Sequence, residues 1–457
     1  MLTCELDLPN DDVAEYVEAF LRFRSWERRR VETVSFIDYD TIRRRTTIDL
    51  SMKTISESST ACPFFVDRPL VPIALMKKDL LASFDLRDAA GGAISVVPRD
   101  VDAFFAWSIL CRWARRGLSR TNAPVPQLIL DHLKHIAYSF PKSDDVITSP
   151  VVASWIAPNS WSASMKIRWQ RLLKNEQFER ILRQFTFNYL LIAQLPALPE
   201  VQIVKFSFEE CITLNAATKS ELLGYDAAEF PIETPSIGWG RSFHLQVEPP
   251  TDMIITDMQL LKLEDIARSV KYPERYEIKI GNGFAQIHTT NELETANYTV
   301  SVLMRVSVSG YLRAAWISTM FAALILALGN VYLERLERAV QNRAEAAVAL
   351  LLVVPSLVSA YLVRPGEHAI ASKLLRYLRY GAGLCGLVTY FAAAALVLGW
   401  NGNVLSYIWR SAATLALWVA MIFSGAVILT KVDLVRVGKE LGQTRVQHVI
   451  GIPEYET

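Results

Sequence analysis

Cysteine and histidine are scarce in this chain, and neither is arranged for chemistry. The five cysteines (Cys4, Cys62, Cys111, Cys211 and Cys385) include no CxxC pair. An odd, unpatterned set argues against a disulfide framework and points to a reducing compartment. Among the six histidines, His132 and His135 stand three apart beside Asp131. Zinc needs three or four ligands, and no matching group accompanies that pair. His244 and His288 fall within strand patterns and read as structural. Glu209, Glu210 and Cys211 have no histidine at a readable spacing. There is no GxSxG elbow, Walker loop, HExxH helix or GxGxxG between a strand and a helix. A Ser-His-Asp triad stays open, because its members need not be neighbours in sequence. Nothing raises an enzyme above background, and neither a cofactor nor a metal is expected.

Net charge is also lacking. Lys and Arg total 48 against 47 Asp and Glu, a formal charge of +1. That balance gives no reason to expect duplex nucleic acid as a partner. The opening MLTCELDLPNDDVAEY is acidic and has no apolar core segment, so no secretory leader is expected. No internal repeat, long linker or low-complexity tract is visible.

What the chain does have is apolar length near its C-terminus. Four stretches are almost free of charge: 314–333, 346–363, 380–400 and 411–430. About 20 apolar residues cross a bilayer as a helix, since roughly 30 Å of hydrocarbon is spanned at about 1.5 Å per residue. In lipid the backbone must satisfy its own hydrogen bonds, so these stretches are expected as four transmembrane helices. They contain no Asp, Glu, Lys, Arg or His. Proton pumps and ion-coupled transporters place ionisable groups there, so those classes lose weight. Gly381, Gly383, Gly386 and Gly425 favour close helix packing, and Pro355 can kink its helix.

Flanking charge sets the orientation. Arg305, Arg313, Arg364, Lys373, Arg376, Arg379, Lys431, Arg436, Lys439 and Arg445 fall on one side, against Arg335, Arg338, Arg343 and Arg410 on the other. The richer side is expected to be cytoplasmic, with both termini there, in the cell's inner (plasma) membrane. On that topology the sequon Asn297-Tyr298-Thr299 is a chance match.

Ahead of the membrane region, 1–308 reads as a cytosolic α+β domain, antiparallel and β-rich with a helical insert. Two lobes, about 1–195 and 196–308, are conceivable. Residues 11–29 form an amphipathic helix pattern, and the runs around 31–37 and 44–52 suggest a hairpin. Asp88-Ala-Ala-Gly-Gly92 is a turn signal between Leu81–Leu86 and Ala93–Val97. Val101–Arg116, Pro126–Phe140 and Met165–Leu195 are helical by pattern. Strands are expected over Val201–Phe208, Phe243–Val247, Met253–Thr256, Tyr276–Ile280, Phe284–Thr289 and Asn297–Val308. The last runs straight toward the first membrane helix, so strain or rotation in the sheet can reach it. Residues 309–432 form the four-helix bundle, and 433–457 are expected as a cytoplasmic tail.

Two groups of residues stand out as candidate sites. Arg24, Arg28, Arg29, Arg30, Arg44 and Arg45 crowd near the N-terminus, and arginine forks suit phosphate or carboxylate. They are candidates for a small anionic or nucleotide ligand, the alternative being a solvated or lipid-leaning face. Arg112, Arg115, Arg116 and Arg120 form a second, more ordinary cluster. For gating or coupling, the candidates are Arg305, Arg313, Pro355, Arg364, Glu367 and His368, at or between the spans.

Ser242-Phe-His-Leu-Gln-Val-Glu-Pro-Pro250 and Val363-Arg-Pro-Gly-Glu-His-Ala369 carry a resemblance across the C-terminal half. They make the chain similar to a recurrent type of uncharacterised bacterial multi-pass membrane protein, which implies no activity. A cytosolic domain on a small helix bundle also resembles membrane effectors of bacterial immune (anti-phage) systems, which open or disrupt the membrane on ligand binding. The reading is a sensor–effector whose cytosolic domain gates a homo-oligomeric pore; a non-conducting anchored scaffold or receptor is the alternative.

Overall fold

The computed structural model describes residues 11–21, 23–51, 53, 70–78, 82–118, 124–139, 158, 160–195, 200–212, 214, 217–234, 236–237, 240–264, 275–281, 283–289, 298–338, 368–440, 444–448 and 450–453. The chain divides into two units that interleave along the sequence. One comprises Met1–Val31, Arg45–Glu209 and Gly238–Phe243. The other comprises Glu32–Arg44, Glu210–Ile237 and His244–Thr457. The division falls inside strands β1 (Glu27–Phe36), β2 (Thr41–Ser51) and β6 (Val201–Cys211), and after the first residue of β8 (Phe243–Glu248), so each gives residues to both units.

The first unit is built on α3 (Arg99–Leu118), whose Phe104, Phe105, Trp107, Leu110, Cys111 and Ala114 are buried. Helix α1 (Asp11–Phe20) follows its apolar spacing, burying Val13, Ala14, Tyr16 and Val17. Between α1 and α3 in sequence lie the short α2 (Phe23–Trp26), β3 (Leu70–Lys77) and β4 (Ala82–Arg87). After α3 come α4 (Gln127–Tyr138), α5 (Ala163–Leu173), α6 (Glu176–Phe187) and β5 (Asn188–Gln194). Strand β3 is buried from Leu70 to Met76 and pairs antiparallel with β5, while β4 pairs antiparallel with β6.

Met165–Leu195 is therefore not one helix. Asn175 interrupts it: its side chain accepts from the amides of Gln177 and Phe178 and caps a new helix. Beyond Asn188, the run Tyr189-Leu-Leu-Ile192 packs as a buried strand against β3. Helical spacing persisted through the junction, but long-range pairing decided it. The turn at Asp88 closes as expected. The Asp88 amide bonds the Gly92 carbonyl at 2.9 Å, and Gly91 takes a φ of 90° that suits glycine.

The second unit joins sheets to helices. Its strands are β7 (Ala228–Glu233), β8 (Phe243–Glu248), β9 (Met253–Glu264), β10 (Arg275–Gly281), β11 (Phe284–Thr289), β12 (Tyr298–Val306), β13 (Thr444–His448) and β14 (Ile450–Pro453). One sheet runs β14-β9-β12-β7, and β13-β10-β11-β8 form another run of neighbours. The hairpin β10–β11 turns at Gly283, with φ 87°. Residues 444–448 and 450–453 join the sheets. Strand β13 pairs antiparallel with β10, and β14 pairs in parallel with β9.

The helices of this unit are α7 (Lys219–Leu222), α8 (Arg313–Val331), α9 (Ala369–Leu374), α10 (Arg376–Val397) and α11 (Gly402–Glu440). Among the described residues 3 helical segments are long and apolar enough to cross a membrane: Gly310–Val331, Arg376–Val397 and Gly402–Arg436. The stretch 346–363 lies outside the described residues. Ile317, Phe321, Leu324 and Leu328 on α8, Phe391 on α10 and Trp418 on α11 face outward. An apolar exterior on long apolar helices marks a membrane protein. The fold is thus an α+β part followed by membrane-spanning helices.

Inside the bundle, backbone meets ring. A Cβ on Gly329 of α8 would fall 2.0 Å from the Trp409 indole. Trp409 is fully buried, and its Nε1 donates to the Ala392 carbonyl of α10 at 3.0 Å. Trp316 of α8 donates to Ser424 Oγ of α11 at 2.8 Å. Small residues and single hydrogen bonds therefore hold the helices together, as lipid favours.

Candidate functional site

The site that the second unit builds lies where β12 becomes α8. No linker separates them: Val308–Leu312 makes one wide helical turn, broken at Gly310. The Ser307 amide donates to the Asp252 carbonyl at 2.7 Å. Asp252 holds a positive φ of 67° in the turn after Pro250. A Cβ on Gly310 would come 2.8 Å from the Asp252 carboxylate, so glycine lets the chain bend against that turn. Tyr311 and Leu312 are then buried, and α8 begins.

Arg305, near the end of β12, ties three segments together. Its Nη2 donates to the Tyr225 carbonyl at 2.6 Å, and its Nε lies 2.9 Å from Asp433 Oδ2 on the end of α11. Its side chain is only 10% exposed, and among the described residues its Nη1 has no hydrogen-bond partner. Tyr225 in turn donates from its hydroxyl to the Ile422 carbonyl of α11 at 3.2 Å. Beside it Gly224, with φ 74°, leaves a Cβ only 3.4 Å from Ala426 and 3.7 Å from Leu378. The loop after α7 is thereby seated on α10 and α11. Gly224, Asp226, Leu312, Leu378 and Thr430 line a small cleft under the Arg305 guanidinium.

A second clasp holds α9. His368 Nδ1 accepts from the Ile370 amide and caps the helix, while its Nε2 lies 3.3 Å from the Phe36 carbonyl. The two contacts together require the neutral Nε2–H tautomer. Lys373 Nζ sits 3.2 Å over the Tyr39 ring. Phe36 and Tyr39 flank the tip of the β1–β2 hairpin, where the Ile37 amide bonds the Thr41 carbonyl. Of the coupling candidates, Arg305 and His368 are thus engaged, and Arg313 is exposed at the start of α8. Pro355, Arg364 and Glu367 lie outside the described residues.

The N-terminal arginines separate by environment. Arg28, Arg29 and Arg45 are exposed. Arg30 is buried and bonds both carboxylate oxygens of Glu27 at 2.9 Å, and also the Ile73 carbonyl. Arg24 falls in α2. Arg44 lies in the other unit, donating to Glu32 at 2.7 Å, to Glu210 at 2.9 Å and to the Glu233 carbonyl at 2.7 Å. Glu32 also accepts from Ser236. Burial alone would lower the Arg44 pKa, but Glu210 and Glu32 outweigh it and hold the guanidinium above its ordinary value. Arg30 and Arg44 are therefore internal partners of carboxylates. Arg112, Arg115 and Arg116 pair with Glu15, Asp11 and Glu18 of α1.

Other chemistry-bearing groups are spent on packing. His132 meets the Trp161 and Trp169 rings edge-on at 5.3 and 5.2 Å, and those two rings also meet each other at 5.9 Å. His244 stacks on His288 at 4.1 Å. Burial pushes the Cys111 thiol up to about 12, which keeps it protonated and unreactive. Among the described residues no three His, Cys, Asp or Glu side chains are grouped to hold a metal.

Sequence reasoning missed Tyr225, Asp252, Asp433 and Tyr39. Only Asp433 carried a signal, as the first acid after the last apolar stretch in an otherwise basic run. No protein-family model matches the chain, and no curated protein sequence matches it.

Proposed function

We propose that this chain is a sensor–effector of the bacterial inner membrane, in which a cytosolic α+β part gates an oligomeric transmembrane pore. The observation that carries the reading is the Arg305 clasp. One buried guanidinium joins the strand leading into the first span, the loop seated on α10 and α11, and the end of the last span. A shift of β12 strains the bonds of Arg305 to the Tyr225 loop and to α11, so a change in the sheet is felt by the bundle.

Trp409 and Phe423 fill the space between the spans. That filling supports a pore formed between copies rather than within one, gated by apolar side chains. The described ends also support a fourth crossing. The end of α8 lies against Trp409, far from the sheets, whereas His368 lies against Phe36. The chain leaves Arg338 at one end of the bundle and resumes at the other, and 346–363 has the length and composition to cross. The charge excess at the sheet end supports N-in and C-in topology.

The ligand in this reading is small and anionic, with the exposed Arg28, Arg29 and Arg45 as the cationic groups available to it. No catalytic step is assigned, and the likeness to anti-phage membrane effectors remains one of architecture. The second reading, a non-conducting anchor, is favoured by the filled bundle interior.

Conductance of purified protein in liposomes, with and without cell extract, tests the proposal. Extract-dependent current that Arg305→Gln alters is the expected result. Silent, monomeric protein under both conditions would leave the anchor reading standing.

A further inference from the structure

Three exposed basic residues, one from each described span, lie within about two helical turns of one another at the sheet end of the bundle. Leu312, Leu378 and Thr430 line one cleft, so these positions of α8, α10 and α11 lie side by side. Arg313 and Lys431 are the next residues after Leu312 and Thr430, Arg376 lies two before Leu378, and all three side chains are exposed. Trp316 bonded to Ser424, and Gly381 lying 3.6 Å (by its Cβ position) from Val419, set Arg313 and Arg376 against the last turns of the apolar stretch 411–430, so Lys431 stands roughly 6–10 Å further out, within reach of long basic side chains. Tyr377 and Tyr380 are exposed beside them, and Arg376 Nε donates to the Tyr380 hydroxyl at 3.0 Å. Arg436 and Lys439 continue outward on the exposed end of α11.

We infer that this girdle docks the phosphates of anionic phospholipids in the leaflet facing the sheets. Its level fits. From Lys431 back to Arg410 the helix rises roughly 31 Å, the thickness of the hydrocarbon layer. Lys431 then lies at headgroup depth, where exposed tyrosines also settle, and the guanidinium heads of Arg313 and Arg376 reach that depth by extending along the helix surface. Guanidinium and ammonium groups at that depth meet lipid phosphate before any soluble anion. The inference rests on the membrane reading but not on conduction.

The test uses the full chain in liposomes with brominated lipids, which quench the tryptophans of the spans. Brominated phosphatidylglycerol is compared with brominated phosphatidylcholine. The expected result is preferential quenching by the anionic lipid, reflecting roughly fivefold per basic residue at the surface and fading as salt is raised. Replacing Arg313, Arg376 and Lys431 together by Gln should bring the ratio close to one. Arg335→Gln with Arg338→Gln, at the opposite end, should leave most of the preference. Equal quenching by the two lipids in the unaltered protein would overturn the inference, as would loss of preference only in the opposite-end variant. The salt titration needs no variant, so a poorly folding triple substitution leaves the inference falsifiable. A silent channel with intact lipid preference would count against the pore alone.

Discussion

Gly329→Ala should loosen the helix bundle, although alanine is the better helix former. The gain in propensity is about 1 kcal/mol for an interior glycine. Against it stands the Trp409 indole, 2.0 Å from the position a Cβ would take. Ordinary contact is about 3.5–4.0 Å, so the ring or α8 must move by roughly 1.5 Å or more. The indole has no free direction: it is fully buried and bonded to the Ala392 carbonyl. Overpacking of this kind costs about 1–3 kcal/mol, and an interhelical hydrogen bond in lipid adds roughly 0.6. The net expectation is a loss of about 1–2 kcal/mol, read as a lower unfolding temperature in detergent micelles. Trp409→Leu in the Gly329→Ala background should recover part of that loss, because the smaller side chain vacates the clash. A Gly329→Ala protein as stable as the original, or more so, would refute the close packing of α8 on α11.

Arg44→Met removes the guanidinium that pairs with the buried Glu32 and with Glu210 and should cost roughly 3–5 kcal/mol, the range for breaking a buried pair from one side; urea unfolding measures it. Asp102 is pushed up to about 8, by burial first, with the Leu190 amide and Lys78 opposing. A raised acid stabilises fully below its unfolded pKa, near 4, and loses that contribution as pH rises through 8. Stability should therefore fall from pH 4 to 8 by up to about 1.4 kcal/mol per unit, and Asp102→Asn should flatten thermal unfolding across that window. Lys78 is lowered to about 8 chiefly by burial, so its own contribution grows only above pH 8 and is lost as pH falls through that value. Ending the chain after Glu440 strips β13 and β14, and amide exchange over 261–264 and 275–279 should quicken by orders of magnitude; unchanged protection would mean those strands hold nothing.

The membrane helices could be read from sequence because lipid removes the need for a polar face, leaving a one-dimensional signal. Hydropathy located the bilayer, however, and not the helices. The apolar stretch 411–430 lies inside α11, which runs from Gly402 to Glu440. Charged ends of a helix that project into water look like loops to such a reading. Most strands of 200–308 were legible because each buries one face, as β8 and β11 do with strict alternation. Strands β13 and β14 were not, since they are short and owe their form to β10 and β9, far away in sequence. The arginine group was visible as charge alone. Nothing local shows that Arg44 meets Glu210, because the partner lies across the fold.

The way the bundle is tied to the sheets limits how it can move. Strand β9 pairs with β12 along one edge and with β14 along the other. Strand β12 leads into α8, and β14 follows α11, so the first and last described spans hang from one strand. Parting them requires unzipping a ladder, which is cooperative and costly beside a single side-chain contact. Helix α10 has a different tether, through α9 to the β1–β2 hairpin tip by His368 and Lys373. Each of those contacts is worth about 1 kcal/mol. The easiest motion is then α10 against a fixed α8–α11 pair. Such a motion would shift Leu378 at the cleft under Arg305 while the ladders on β9 stay closed. A displacement of the hairpin tip therefore has fewer and weaker contacts to break before α10 moves than a displacement of the four-stranded sheet has before α8 and α11 part.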